Sequence, residues 1–563
     1  MVFPKSKYII LALSGVLLSF ALFAQTKKRV NIERADKMQF NKQIISNANR
    51  LIGNVKITHE DIVMFCDSAY SYSDTNMVDA FGNVHIIKND TLNMYAHFVN
   101  YNGDSKWAIA KNNVRLENKG TTLKTDVLNY DMVANIGYYN NYGTLVDSVN
   151  TLYSRIGEYY ANDDRAYFKQ EVEGQTPSYR ILSDTLIYEP TSGKAIIVGP
   201  TTCYNEKDTL YAVDGFYSTK ESYAELHRYP IIRTEGRHVT AESIFFKQQS
   251  SDGLAVGDAS IQDYNQKLII KGNRIKYNNL RQEAFVTDSA HALLYSNIDT
   301  LYMHADTLRS YQDTIPNEKV LLGYYGVQFF RQDLQGKCDS VAYFTADSTL
   351  QMHHFPVVWS QTNQLSSDYM EMLIIDSIHQ EFHLKNNSFI IAQEDSIRFN
   401  QIKGRNMIGY ISNRELHRIN VDGNGQSVYY AYDSKGLIGL NKALGSKIGI
   451  GLKESKVNKI VFYTNPDGQL IPPVGINKED RMLSDFNWQE KIRPLSIYDI
   501  FLSEEQKLDS TYRQQVKEKV KTYSDRKSAY SISDYPKPKD SPFSPPAIAN
   551  DKVESENETE EEN

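Results

Sequence analysis

Cysteine is scarce, with 3 in 563 residues. That is too few to staple a chain of this length, and no Cys/His cluster has the spacing of metal ligands. Positive charge is not in excess either. Lys and Arg number 62 against 69 Asp and Glu, a net charge of −7, so no basic surface for phosphate backbones is expected and nucleic acid is not a partner. The signatures of catalysis are missing: there is no Gly-x-Ser-x-Gly elbow, no His-Glu-x-x-His and no phosphate-binding glycine loop. Neither an enzyme nor a cofactor or metal site is expected. His353-His354, beside Phe355-Pro356, reads as a surface turn, and acid pairs such as Asp163-Asp164 read as solvated turn charges.

Long apolar runs are missing after the start of the chain. Lys5 and Lys7 precede an uncharged, mostly apolar stretch over residues 8–23, then Ala24-Gln25. This pattern predicts a secretory signal peptide over residues 1–24 and export to the periplasm. The alternative is an uncleaved N-terminal anchor, because the run approaches the ~17 residues needed to span a bilayer. No Cys follows it to carry a lipid.

What the chain does contain is aromatic, with 39 Tyr and 23 Phe, together with many Asn, Asp and Thr and few helix-forming stretches. That profile predicts an all-β protein. It is also repetitive. Gly53-Asn54-Val55-Lys56-Ile57 recurs as Gly82-Asn83-Val84-His85-Ile86 and as Asn112-Asn113-Val114-Arg115-Leu116. A second element reads apolar, any, small, Asp, any, apolar, any, Tyr. Leu123 to Tyr130 around Asp126 and Ile181 to Tyr188 around Asp184 are the clearest copies. Others centre on Glu242, Asn273 and Asp339, and weaker ones on Asp67, His97, Arg155, Asp214, Asp306, Asp368 and Asp395, so twelve centres lie 27 to 33 residues apart. Such a period predicts an elongated repeat-built β jelly roll or solenoid-like stack, each unit burying its apolar face on the next. One rung per copy would give a length on the order of 60 Å.

Apolar or small residues sit three and one places before the acid, then two and four places after it. Steps of two belong to a strand, but the step across the acid is three. A bulge or corner is therefore predicted at each acid, which gives these acids a structural role rather than a catalytic one. Cys66 and Cys338 occupy the small position and read as small buried hydrophobes. Cys203 lies outside the motif. The candidate inward set is Met64, Met94, Val99, Leu128, Ile181, Leu186, Ile244, Ile275, Leu308 and Val341, and ordinary core packing explains it as well as a ligand-lined groove does.

The pattern divides the chain into a first β module over 30–190 and a second over 191–412, or a continuation of the first. A C-terminal β extension follows over 413–500. A polar helix over 501–525 is capped by Ser503 with Glu504 and Glu505 in its first turn. The Pro-rich and acidic tail over 526–563 is expected to be disordered.

The segment Met64-Phe65-Cys66-Asp67-Ser68-Ala69-Tyr70, continuing through Asn76 and Ala80 to Gly82-Asn83-Val84, resembles the OstA family of lipopolysaccharide-transport proteins. That family includes the periplasmic LptA-type bridge and the N-terminal domain of the LptD translocon. The long form, with Gln401-Ile402-Lys403-Gly404-Arg405-Asn406-Met407 late in the chain, is similar to the OstA-like proteins of Bacteroidetes-type bacteria over roughly residues 30–430. The resemblance implies a jelly roll folded like a taco shell (a β-taco), whose apolar groove takes lipid A acyl chains. It implies lipopolysaccharide as cargo, and other transport components or a like copy as partners joined end to end by β-augmentation. No alternating membrane strands follow, so a translocon is excluded. A structural or adhesive β-solenoid, binding protein or glycan on its outer face, is the competing expectation.

Overall fold

The computed structural model describes residues 28–40 and 47–512, apart from 235, 297–298, 317, 414 and 454–455, together with 514, 515 and 518. The expected signal peptide over 1–24 and tail over 526–563 lie outside the described residues.

The corner expected at the acid is present in the repeat copies apart from the one around Asp395, and two strands build it together. In Ile62–Tyr72 the buried side chains are Ile62, Met64 and Cys66, then Ala69 and Ser71, so the inward set skips by three across Asp67. On the preceding strand, Asn49–His59, Gly53 and Asn54 stand opposite Asp67 alone, a two-against-one bulge. Both are left-handed, with φ of 77° and 44°. Gly82 and Asn83 repeat the arrangement with φ of 71° and 42°, and the Asn83 amide donates to the Asp67 carboxylate at 2.9 Å. Asn54 does the same to Asp36 and Asn387 to Asp368, each at 2.9 Å. The extra residue thus sits on the Gly-Asn strand, and the acid ties it down.

These corners fold each rung in two. His59 is in register with Leu92 through Ile62 and Lys88. Tyr101 lies nine residues further along the same strand as Leu92, ~30 Å away if that strand were straight. Its hydroxyl is nevertheless 2.7 Å from His59 Nδ1. The strand must double back at its corner and bring its two ends together. The result is a two-walled stack, V-shaped in section, with apolar side chains inside.

Among the described residues there are forty strands; sixteen cross the corner unbroken and the other twenty-four are half-strands joined in pairs, giving twenty-eight antiparallel rungs. The ten strands from Arg180–Glu189 to Asp252–Asp263 form a closed ring of pairings, because the two walls are split there and share both end members. Each repeat supplies two rungs, one cornered on the acid and one on Gly-Asn, so one rung per copy is corrected to two. Along the chain the rungs continue well past 412, to Asp467–Ile471. Asp395 is not a corner. It caps the turn to the next strand, accepting from the Ile397 and Arg398 amides.

Strand structure ends at Ile471, short of the β extension expected to 500. Residues 472–502 instead run as a strap of short 3-10 turns along the outer face of one wall. Outward glutamines hold the strap by its backbone. Gln401 donates to the Arg481 carbonyl at 2.7 Å, Gln364 to that of Asn487 at 2.7 Å and Gln328 to that of Leu502 at 2.7 Å. Under the strap, Phe389, Ile391, Val428, Tyr430 and Leu440 form a separate apolar cluster with Leu483. Ser503 caps the following helix with a full capping box, as expected, but the helix spans only Glu504–Leu508. Asp509 is extended, and helical backbone resumes at Ser510.

Candidate functional site

The interior is the candidate site. Met64, Met94, Val99, Leu128, Leu186, Ile244, Ile275, Leu308 and Val341 are each at most 2 % exposed, and Ile181 is 8 % exposed. Met64, Met94, Val99, Leu128 and Leu186 belong to one cluster that runs from Leu51 to Leu226. Ile244, Ile275, Leu308 and Val341 belong to a second that runs from Val239 to Ile450. The ten candidates therefore all point inward but do not form one continuous surface.

The mouth of the V, where strand ends from the two walls meet, is polar and largely bridged. Residues spaced like the repeat do the bridging. On one wall stand His59, Lys88 and Asn118; on the other stand Tyr101, Tyr130, Tyr159 and Tyr188, which occupy the final Tyr of the repeat. Asn118 donates to the Ala161 carbonyl at 2.8 Å and to Tyr159 at 3.0 Å. Asn150 donates to Tyr188 at 2.8 Å. Lys88, only 5 % exposed, donates to Asn135 at 2.7 Å and to the Met132 carbonyl. Burial holds the Lys88 ammonium below its ordinary pKa. Lys106 and Glu60 form an ion pair across the same opening at 2.6 Å.

Asp164 corrects the expectation of solvated turn acids. It is buried and accepts from Tyr159 at 2.8 Å and from Thr121 of the opposite wall at 3.2 Å. Further along, Arg237 donates to Gln282 at 2.8 Å and Lys319 pairs with Asp263 across the mouth. Burial alone would raise the Asp263 carboxyl, but the Lys319 hydrogen bond and charge outweigh it and hold the group below its ordinary value.

All three cysteines are free. Cys66 and Cys338 are inward and buried, as their motif position suggested, and burial pushes the Cys66 thiol up to about 11. Cys203, which the motif did not place, pairs in register with Ile181 and Leu210 on an inward column. His354 lies exposed at a corner, 3.5 Å from Asp339. Among the described residues no group of three or more His, Cys, Asp or Glu could hold a metal ion.

The bridging tyrosines were within reach of sequence reasoning, since the repeat ends in Tyr at a fixed distance from the acid. A phenol repeated on an inward position needs a polar partner for its hydroxyl, and the mouth supplies one to Tyr101, Tyr159 and Tyr188 but not to Tyr130.

A folded antiparallel stack with two facing walls and an apolar interior defines the class of this protein: an elongated all-β jelly roll built from rungs. Residues 27–184 match the family described as OstA-like protein, so this stretch of the chain is similar to that family. The match is shorter than the similarity over 30–430 expected from sequence and stops inside the strand Arg180–Glu189, although rungs of the same build continue beyond it. No curated protein matches the chain.

Proposed function

We propose that this protein is a periplasmic lipopolysaccharide-binding bridge that shelters lipid A acyl chains between its walls during transport to the outer membrane, and that it is not an enzyme. The observation that carries the reading is a lengthwise apolar interior between two walls, in a chain whose first rungs are similar to the OstA-like family. Exposing a ~14-carbon acyl chain to water costs on the order of 10 kcal/mol, at ~0.8 kcal/mol per CH₂. Loading requires the walls to part at the mouth, where a neutral bridge is worth about 1 kcal/mol and one to a charged group, as at Lys88 or Asp164, about 1.5–3 kcal/mol.

The ends of the stack suit end-to-end assembly with other transport components or a second copy. Among the described residues the first rung, Asn31–Arg34 with Lys37–Phe40, pairs on one side only, and Met38 and Phe40 are exposed. The last rung, Lys456–Tyr463 with Asp467–Ile471, likewise pairs only with Gly436–Lys453.

The test is quantification of lipid in the full chain purified from its envelope under mild detergent. Lipopolysaccharide at a fixed molar ratio supports the reading. Lipid-free protein that also takes up none from added lipopolysaccharide overturns it. That outcome would favour a structural or adhesive rod, a reading to which the close packing of both interior clusters already lends weight.

A further inference from the structure

The two interior clusters stop at the same place from opposite sides. The first ends at Leu226, the second begins at Val239, and Phe246 packs against both. Here the inward apolar side chains are no longer fully covered. Leu210, Ile232 and Ile261 stand on one inward column of the wall, in register through Val239, and all three are only half-buried. Their counterparts in the N-terminal stretch, such as Leu116 and Leu123, are at most 1 % exposed.

At the mouth beside this column the walls stand apart around a mostly polar cavity of about 640 Å³, with the Arg237–Gln282 and Lys319–Asp263 bridges in its lining; Val239 and Ile261 line a smaller cavity that shares those four residues with it. The lining of the larger one includes Phe246, and its rim carries the amides of Gln248, Asn265, Gln266, Asn279 and Gln282 from both walls. A second, mostly apolar cavity of about 450 Å³ shares Phe246 and opens on the outer face of that residue's wall, among Phe245, Leu254, Lys276 and Phe285. Both volumes fall within the ~300–1,000 Å³ of small-molecule sites. At the rim Arg237 and Lys319 share one carboxylate, Asp263, and Asp208 adds a second acid, so two positive and two negative charges balance.

We propose that this middle stretch is the portal through which a glycolipid enters and leaves the interior, with acyl carbon on Leu210, Ile232 and Ile261 and sugar hydroxyls on the amide rim. An apolar column beside a polar rim matches an amphiphile. Side-chain amides, which both donate and accept, match hydroxyls of either polarity. With Arg237 and Lys319 engaged by Asp263, the rim is suited to neutral sugar rather than to phosphate alone. The bridged stretches on either side would open only after the portal is filled. This proposal rests on the lipid-carrying function proposed above.

The experiment places a photo-crosslinking side chain at Leu210 or Ile232 of the full chain, and at Met94 or Leu128 of the bridged stretch. Purified lipopolysaccharide is the probe. Crosslinks concentrated at Leu210 and Ile232 support the portal. Equal or stronger crosslinking at Met94 and Leu128 overturns it while leaving lipid carriage intact. No crosslink at any position removes both. Because a bulky probe at Met94 or Leu128 can unfold the stack, a second comparison uses folded Ile232→Asp against Tyr153→Asp, the latter on the outer face. Ile232→Asp should weaken lipopolysaccharide binding about tenfold and Tyr153→Asp should leave it unchanged; equal effects overturn the portal.

Discussion

Glycine at a corner answers two constraints at once. At Gly82 the backbone is left-handed, and an added Cβ would lie 2.4 Å from the Asp67 carboxylate. At Gly120 the backbone is also left-handed, but the space around it is open. Gly82→Ala should therefore lower stability by about 2–3 kcal/mol and Gly120→Ala by about 1 kcal/mol, read from midpoints of urea unfolding. The bridging tyrosines give a second contrast. Tyr159 is held by Asn118 and Asp164, whereas the Tyr130 hydroxyl is buried with no partner. Tyr159→Phe should cost about 1–2 kcal/mol and Tyr130→Phe should be neutral or stabilising in the same measurement. A large loss for Tyr130→Phe would mean that its hydroxyl finds a partner in solution. The motif that names these residues was plain in the sequence; which of them is bonded was not, because the partner lies some forty residues away on the other wall.

The strap is the element with the clearest switchable contact. Phe501 packs edge-on to His291 at 5.2 Å between ring centres and against His304 at 4.7 Å. Burial lowers both imidazoles, His291 from 6.5 to about 4. A histidine held low takes up its proton less readily in the docked state than in the released one. Docking is therefore undisturbed above pH 6.5 and weakens as the pH falls from 6.5 toward about 4. Limited proteolysis of residues 472–509 across that range should show the onset of cleavage, and His291→Phe should flatten the dependence. Gln364 anchors the middle of the strap, donating to Asn487 and accepting from the Gln489 amide at 2.7 Å. Gln364→Ala should make the strap protease-sensitive at neutral pH while the stack keeps its β circular dichroism. Nothing in the sequence of 472–502 marks it as a strap, since it has no period. Its course is set by the outward glutamines of strands eighty or more residues earlier.

The twenty-eight rungs among the described residues, at ~4.8 Å each, make a body on the order of 130 Å long before twist is counted. Small-angle scattering should give a rod-like distance distribution with a maximum above 100 Å, on that same spacing; a compact, near-spherical profile would contradict the stack. Such a body is stabilised by neighbours only, so its stretches can open one at a time. That property suits a carrier whose mouth is bridged along its N-terminal stretch and holds a cavity near the middle.

The amino-acid order alone fixed the all-β class, the period, the corner at the repeat's acid and the inward face. These follow from local geometry, in which a strand alternates every two residues and a slip of one is visible as a step of three. Two rungs per repeat, the doubling back of each rung, the polar closure of the mouth, the strap and the gap near Phe246 emerged only in three dimensions. Each depends on contacts between residues far apart in the chain, and no local pattern records which wall a side chain will face or whether a neighbour covers it.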